Sequence, residues 1–169
     1  MLANNSTIQL TGEVEIDETY IGGKERNKHK NKRQAKGTTG MKGKTPMVGC
    51  LQRNGNMVLR VITGTEANGA VIKPIVREIV SKDATIITDG YGAYYGLNKE
   101  YKGHEIVAHD KDEYVRGNWH SNTIEGFWAI MKRGIYGIYH SVSVKHLHRY
   151  CNEIWLQVQY QRYKRSRKI

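Results

Sequence analysis

The chain has 169 residues, 38% of them apolar, and carries 27 Lys and Arg against 16 Asp and Glu, a formal net charge of +11. That size allows one domain around one core. No apolar run reaches the roughly 18 residues of a membrane span, and the polar start Met1 to Leu10 lacks the charged and apolar pattern of a secretory signal, so a cytoplasmic protein is expected.

The positive charge is local. Nine basic residues (Lys24, Arg26, Lys28, Lys30, Lys32, Arg33, Lys36, Lys42 and Lys44) face one acid, Glu25, between positions 24 and 44, and five more follow from Arg162 to Lys168 with none. The rest of the chain holds 13 basic and 15 acidic residues. Clustered cations of this kind suit a polyanion, because each phosphate they neutralise releases counterions, although a solvated loop and tail would look the same. Cys50 and Cys151 stand far apart, without a CxxC or a Cys and His spacing suited to zinc, and are expected to be reduced and buried.

In chain order, the first element is a strand over Glu13 to Gly23, where Val14 and Ile16 alternate with Glu15 and Asp17 before a Gly pair. The basic stretch that follows has no hydrophobic period and predicts a long mobile loop. Met47 to Gln52 and Met57 to Thr63 are β-prone runs joined by Arg53-Asn54-Gly55-Asn56, a hairpin signal because Asn and Gly both tolerate positive φ. Ile72, Ile75, Val76, Ile79 and Val80 then share one helical face, with Pro74 expected near the first turn, where its missing N–H does little harm.

Ala84 to Thr88 reads as a short buried strand, and Asp89-Gly90 puts a carboxylate at its C-terminal edge. Tyr91 to Tyr101 is expected to be helical and His104 to His109 a strand. Ile124, Phe127, Trp128 and Met131 recur at i, i+3, i+4, i+7, and Val144, Leu147, Cys151, Ile154, Trp155 and Val158 form a second helical stripe. Three strands, helix, strand, helix, strand and helix, with an added C-terminal helix, fit an α/β fold of RNase H-like type: a mixed five-stranded sheet flanked by helices. The expected layout is a polar tail at 1–9, a domain at 10–160 with the 24–44 loop inserted, and a basic tail at 161–169.

Phosphodiester chemistry needs a nucleophilic oxygen, charge stabilisation on the phosphoryl group and help for the leaving oxygen, and two divalent ions about 4 Å apart supply all three. Mg²⁺ prefers carboxylate oxygens. Asp17, Asp89 and Glu125 are the candidates, each with a plainer alternative: an exposed strand acid, ordinary Asp-Gly turn chemistry, and the partner of Asn122 in a capping box.

Three segments carry a resemblance: VEIDETYIGG (Val14 to Gly23), TDGYGAY (Thr88 to Tyr94) and HSNTIEGFWAIMKRGIYGIYHSVSVKHLHRY (His120 to Tyr150). From about Leu10 to Trp155 the chain resembles the ISXO2-like, or IS1595-group, transposase domain. The resemblance implies an RNase H-like fold, cleavage at transposon ends with Mg²⁺ or Mn²⁺, two ions being expected, and attack of the freed 3′-OH on target DNA. The family's motif acids fall on Asp17 and Asp89; its third ligand is Asn or Glu followed by a helical Lys, which leaves Asn122 and Glu125 open, with Lys132 as the lysine.

Glu125 and Lys132 are seven residues apart, nearly in line along a helix and about 10 Å apart axially. Lys132 and Arg133 would hold DNA phosphate, with His120 and His140 as further DNA contacts; His109 is a weaker candidate, and a surface or core hydrogen-bonding role is the commoner fate of such histidines. The implied partner is double-stranded DNA, both transposon ends and target, with a nucleoid location if the cell is bacterial. A homodimer is expected by analogy, since two ends are cut together. Full-length relatives carry an N-terminal zinc-binding and helix-turn-helix region, so a chain with about nine residues before the match is expected to be a fragment. A DNA-binding remnant without activity and a generic RNase H-like nuclease are the competing readings.

Overall fold

The computed structural model describes residues 9–22, 44–64, 66–107, 122–140 and 142–167, the side chains of Asn122, Arg165 and Ser166 excepted. The strands are β1 (Glu13–Ile21), β2 (Thr45–Gln52), β3 (Met57–Val61), β4 (Thr85–Thr88) and β5 (Gly103–Ile106), and the helices α1 (Gly69–Ile79), α2 (Asn122–Gly134) and α3 (Leu147–Ser166). They form the expected α/β arrangement, a mixed five-stranded sheet in the order β3-β2-β1-β4-β5 with helices between and after the strands.

β1 and β4 run parallel, Glu13 opposite Thr85 and Glu15 opposite Ile87, and β4 and β5 run parallel from Thr85 opposite Gly103 to Thr88 opposite Ile106. The β2–β3 hairpin is antiparallel, tied by Gln52 N–H to the Asn56 carbonyl at 2.9 Å and Ile62 N–H to the Pro46 carbonyl at 2.9 Å. Within its turn Asn54 takes the left-handed angle, φ 56°. An Asn tolerates this because its short polar side chain relieves part of the Cβ penalty.

By packing, the chain divides into two compact units: Met1–Asp17, Gly49–Val58 and Ala67–Glu125 form one, and Glu18–Val48, Leu59–Glu66 and Gly126–Ile169 the other. In the first, Val14 and Ile16 of β1, Cys50 and Leu51 of β2, Ile86 and Ile87 of β4 and Ile72, Val76 and Ile79 of α1 are buried. α1 starts where Asn68 caps it, its Oδ1 accepting from the N–H groups of Ala70 (3.1 Å) and Val71 (3.3 Å). Gly69 allows a close approach: a Cβ there would stand 2.9 Å from the Ala93 carbonyl oxygen.

In the second unit Phe127, Trp128 and Met131 of α2 are buried along with Leu147, Cys151, Ile154 and Trp155 of α3, and the Phe127 and Trp155 rings meet edge to face at 5.4 Å. Gly134 brings the two helices close, since a Cβ there would lie 3.1 Å from Ile154 Cδ1. Both cysteines are free and buried. Burial alone pushes the Cys151 thiol up to about 12, and its Sγ lies 3.9 Å from Met47 Sδ.

Three local expectations change. Tyr91 to Tyr101 is two short 3₁₀ turns, Gly92–Tyr94 and Leu97–Lys99, because Gly96 takes φ 91° between them and interrupts any helix. Pro74 is the sixth residue of α1, so the bond its N–H would have made to the Ala70 carbonyl is missing inside the helix. Val144 belongs to a separate 3₁₀ turn and is exposed, so the buried stripe of α3 starts at Leu147. α3 itself continues to Ser166, through the start of the basic C-terminal stretch.

Candidate active site

β1 and β4 are neighbours in the middle of the sheet and run in the same direction, β4 ending at Thr88 while β1 continues to Ile21. The C-terminal edge of parallel strands is where α/β sheets bind ligands. The β1–β4 pairing ends at Glu15 with Ile87; two residues further on stand Asp17, which lies in the middle of β1 rather than at its expected end, and Asp89, which directly follows β4. Adjacent strands lie about 4.8 Å apart and level residues of a parallel pair face the same side. Both aspartates are half-buried.

Asp89 also makes a turn of its own, its Oδ1 accepting from Tyr91 N–H at 2.9 Å. The Thr88 hydroxyl donates to the Asp89 carbonyl (2.9 Å) and lies 2.8 Å from His104 Nε2. With the hydroxyl hydrogen committed to that carbonyl, the ring nitrogen is the donor in the second bond. Burial holds the His104 imidazole below its usual 6.5, against a smaller opposing pull from Glu105.

On the same face of β1 as Asp17, two residues earlier, Glu15 is fully buried. Its Oε1 accepts from Arg53 Nε at 3.1 Å, and its Oε2 accepts from the backbone N–H of Ile124 at 3.0 Å, in the first turn of α2. Arg53 Nη1 also pairs with Glu13 Oε2 at 2.7 Å, and its backbone N–H donates to the Glu13 carbonyl. Sequence reading passed over Glu15 and Arg53. The available signal was an acid at i−2 to Asp17 on a strand with apolar residues on its other face, a position that demands a buried partner.

Glu125 follows Ile124 in the first turn of α2 and its side chain is exposed. An anion there is favoured by the unpaired N–H groups of a helix start. Asn122 is the first residue of α2; its expected capping contact lies outside the described residues, whereas the Ile124 N–H is taken by Glu15. Among the described residues no group of three or more His, Cys, Asp or Glu side chains stands close enough to hold a metal ion. Asp17, Asp89 and Glu125 are all described, and they do not form such a group. Two hard oxygen donors still fit Mg²⁺, which holds several waters and commonly takes one or two carboxylates together with substrate phosphate.

Lys132, half-buried, and Arg133, exposed, occupy the last turn of α2, where cations complement the helix dipole. The helix passes into a π-helical turn, Ile135–Tyr139, and then exposed His140 at φ 58°. The Tyr136 hydroxyl in that turn brackets Gly22, accepting from its N–H and donating to its carbonyl, each at 3.2 Å. Of the basic stretch only Lys44 is described, half-buried just before β2; Lys24, Arg26, Lys28, Lys30, Lys32, Arg33, Lys36 and Lys42 lie outside the described residues, as do His109 and His120.

The ISXO2-like transposase domain model matches residues 9–158, taking in every strand, α2 and both aspartates. The chain belongs to the ISXO2-like transposase domain family. A relative from Halobacterium salinarum, described as an uncharacterized protein in transposable element ISH50, is 32% identical over 133 residues. The match covers 73% of this chain and 45% of the relative, so the chain spans less than half of that protein. This transposase domain places Asp17, Asp89, Asn122, Glu125 and Lys132 all inside the matched region, while the cations from Arg162 onward fall outside it. None of its described helices is long and apolar enough to cross a membrane.

Proposed function

We propose that this chain carries out metal-dependent DNA strand cleavage and 3′-OH strand transfer for an insertion sequence, with Asp17 and Asp89 as the principal metal-holding residues. What supports the reading is that Asp17, inside β1, and Asp89, just after β4, each lie two residues beyond the paired Glu15 and Ile87 of adjacent parallel strands.

When bound, Mg²⁺ or Mn²⁺, two ions in our reading, activates the attacking oxygen and stabilises charge on the phosphoryl group. Asp17 and Asp89 hold the cation at the sheet edge, and Thr88 fixes the Asp89 backbone through its carbonyl. Glu125 is the third carboxylate in this reading, with Asn122 as its alternative, and Lys132 and Arg133 contact DNA phosphate. His120, His140 and the lysines and arginines of 24–44 serve as further contacts to double-stranded DNA, at transposon ends and target alike. Hydrolysis of one phosphodiester frees a 3′-OH, and that hydroxyl attacks a target phosphodiester, one P–O bond forming as another breaks. The chain would work where cellular DNA is, in the cytoplasm or nucleoid, and as a homodimer if both ends are cut together.

The test is nicking of supercoiled plasmid with Mg²⁺, Mn²⁺ or EDTA. Asp17→Asn and Asp89→Asn should each reduce nicking to the level of the EDTA-treated parent, with Mn²⁺ binding weakened in calorimetry and the folding midpoint in EDTA unchanged or raised. A second reading, binding without cleavage, is favoured by the absence of a three-carboxylate group among the described residues. Tight, salt-sensitive DNA binding without nicking in any metal would select it.

A further inference from the structure

Glu15 is a fully buried carboxylate in the central strand of the sheet. Burying an unpaired carboxylate is expensive, and even a paired one is often no more stable than an apolar side chain of similar size. Its neighbours Val14 and Ile16 show that this strand accepts apolar residues. A carboxylate does something they cannot: Glu15 Oε2 accepts the Ile124 N–H, one of the first-turn amides that α2 cannot satisfy internally. Glu125 is the next residue, its Cα about 3.8 Å from that of Ile124. Arg53 Nε, on the other oxygen, balances the charge and fixes the carboxylate's orientation.

We infer that Glu15 is a positioning residue: its buried carboxylate ties the strand that carries Asp17 to the first turn of the helix that carries Glu125. The inference rests on the proposed roles of Asp17 and Glu125. Glu15 sets where α2 begins relative to the aspartate pair, on the same strand face as Asp17, and its loss lets the first turn of α2 fray without dismantling the sheet. Outer groups that orient metal-holding residues typically change affinity or activity by about 10–100-fold when removed.

The experiment compares the parent with Glu15→Leu/Arg53→Leu, which removes the tie while leaving no unpaired buried charge, with Glu15→Gln, which keeps an acceptor for one partner, and with Glu13→Gln, which breaks only the other arm of Arg53. Two quantities are read on each variant: amide hydrogen exchange across the first turn of α2 relative to β1 and β4, and Mn²⁺-dependent plasmid nicking at saturating DNA. The double leucine variant should exchange faster in α2 alone and nick about 10–100-fold more slowly, with KM changed less than kcat. Glu15→Gln should fall between it and the parent, and Glu13→Gln should match the parent. Unchanged exchange in α2 of the folded double variant overturns the tie. Faster exchange with parental nicking, while Asp17→Asn is dead, overturns positioning and leaves the metal reading standing. If Asp17→Asn nicks as well as the parent, the metal reading fails and takes the positioning role with it.

Discussion

The first half of β1 and the last three turns of α3 both concentrate charge, and they handle it in opposite ways. Around Glu15 the charge is buried, and Arg53, Glu13 and the Ile124 amide converge on or beside one carboxylate. Along α3 and just past its end, Tyr160, Tyr163, Lys164 and Arg167 are exposed at spacing i, i+3, i+4, i+7, with Lys164 Nζ 5.2 Å from the Tyr160 ring centre and the Arg167 guanidinium 4.6 Å from that of Tyr163. Those cations rest on aromatic faces and remain in water. The difference teaches that net charge alone says little about where charge supports the fold: buried acids bear on stability, exposed cations on partners.

The largest expected effect on stability comes from leaving Glu15 without its arginine. Arg53→Ala should cost about 3 kcal/mol, at the low end of what breaking a buried pair costs because Arg53 keeps partial exposure and Glu15 keeps the Ile124 amide. Urea denaturation would measure it. A loss below about 1 kcal/mol would remove the contrast between the two regions.

His104 sharpens the comparison through pH. Its folded imidazole is held below 6.5 by burial, so in the window between the folded value and 6.5 the unfolded chain binds a proton that the folded chain does not. Stability from this group is fully present above about pH 6.5 and is lost as pH falls toward the folded value. Thermal unfolding followed from pH 7.5 to 5 should show that decline, and His104→Gln should flatten it while keeping a donor for Thr88. An equal decline in both proteins would place the proton elsewhere.

Much of this architecture is legible from local pattern. The alternation of β1, the Asn-Gly hairpin and the stripe Ile124, Phe127, Trp128, Met131 are short-range signals, and each element forms where they indicate. The failures have local causes: Gly96 breaks an expected helix, and Val144 falls just outside α3. Asp89 is visible as an acid at a strand end, but Asp17 lies mid-strand, and its place beside β4 depends on the β1–β4 register, a pairing across some seventy residues with no signature in either segment. The link from Glu15 to Ile124 spans 109 residues and ends on a backbone amide, so no residue type at the far end announces it.

The smallest expected change in stability, and the clearest way to break the comparison, is at the end of α3. Replacing Arg162, Lys164 and Arg167 together by Ala removes three cations that sit over Trp155, Tyr160 and Tyr163. Each is solvent-exposed, so stability should shift by no more than about 0.5 kcal/mol per site. DNA affinity answers to a different quantity. If these side chains meet phosphate, each lost contact lowers the magnitude of the log K against log salt slope by about 0.9, so a flattening of up to about 2.7 is expected, with little change in sequence preference because phosphate contacts carry no base information. An unchanged slope in fluorescence anisotropy titrations on duplex DNA would mean the α3 cations serve only solubility, and a loss of several kcal/mol would mean they belong with Glu15 among the groups that hold the fold together.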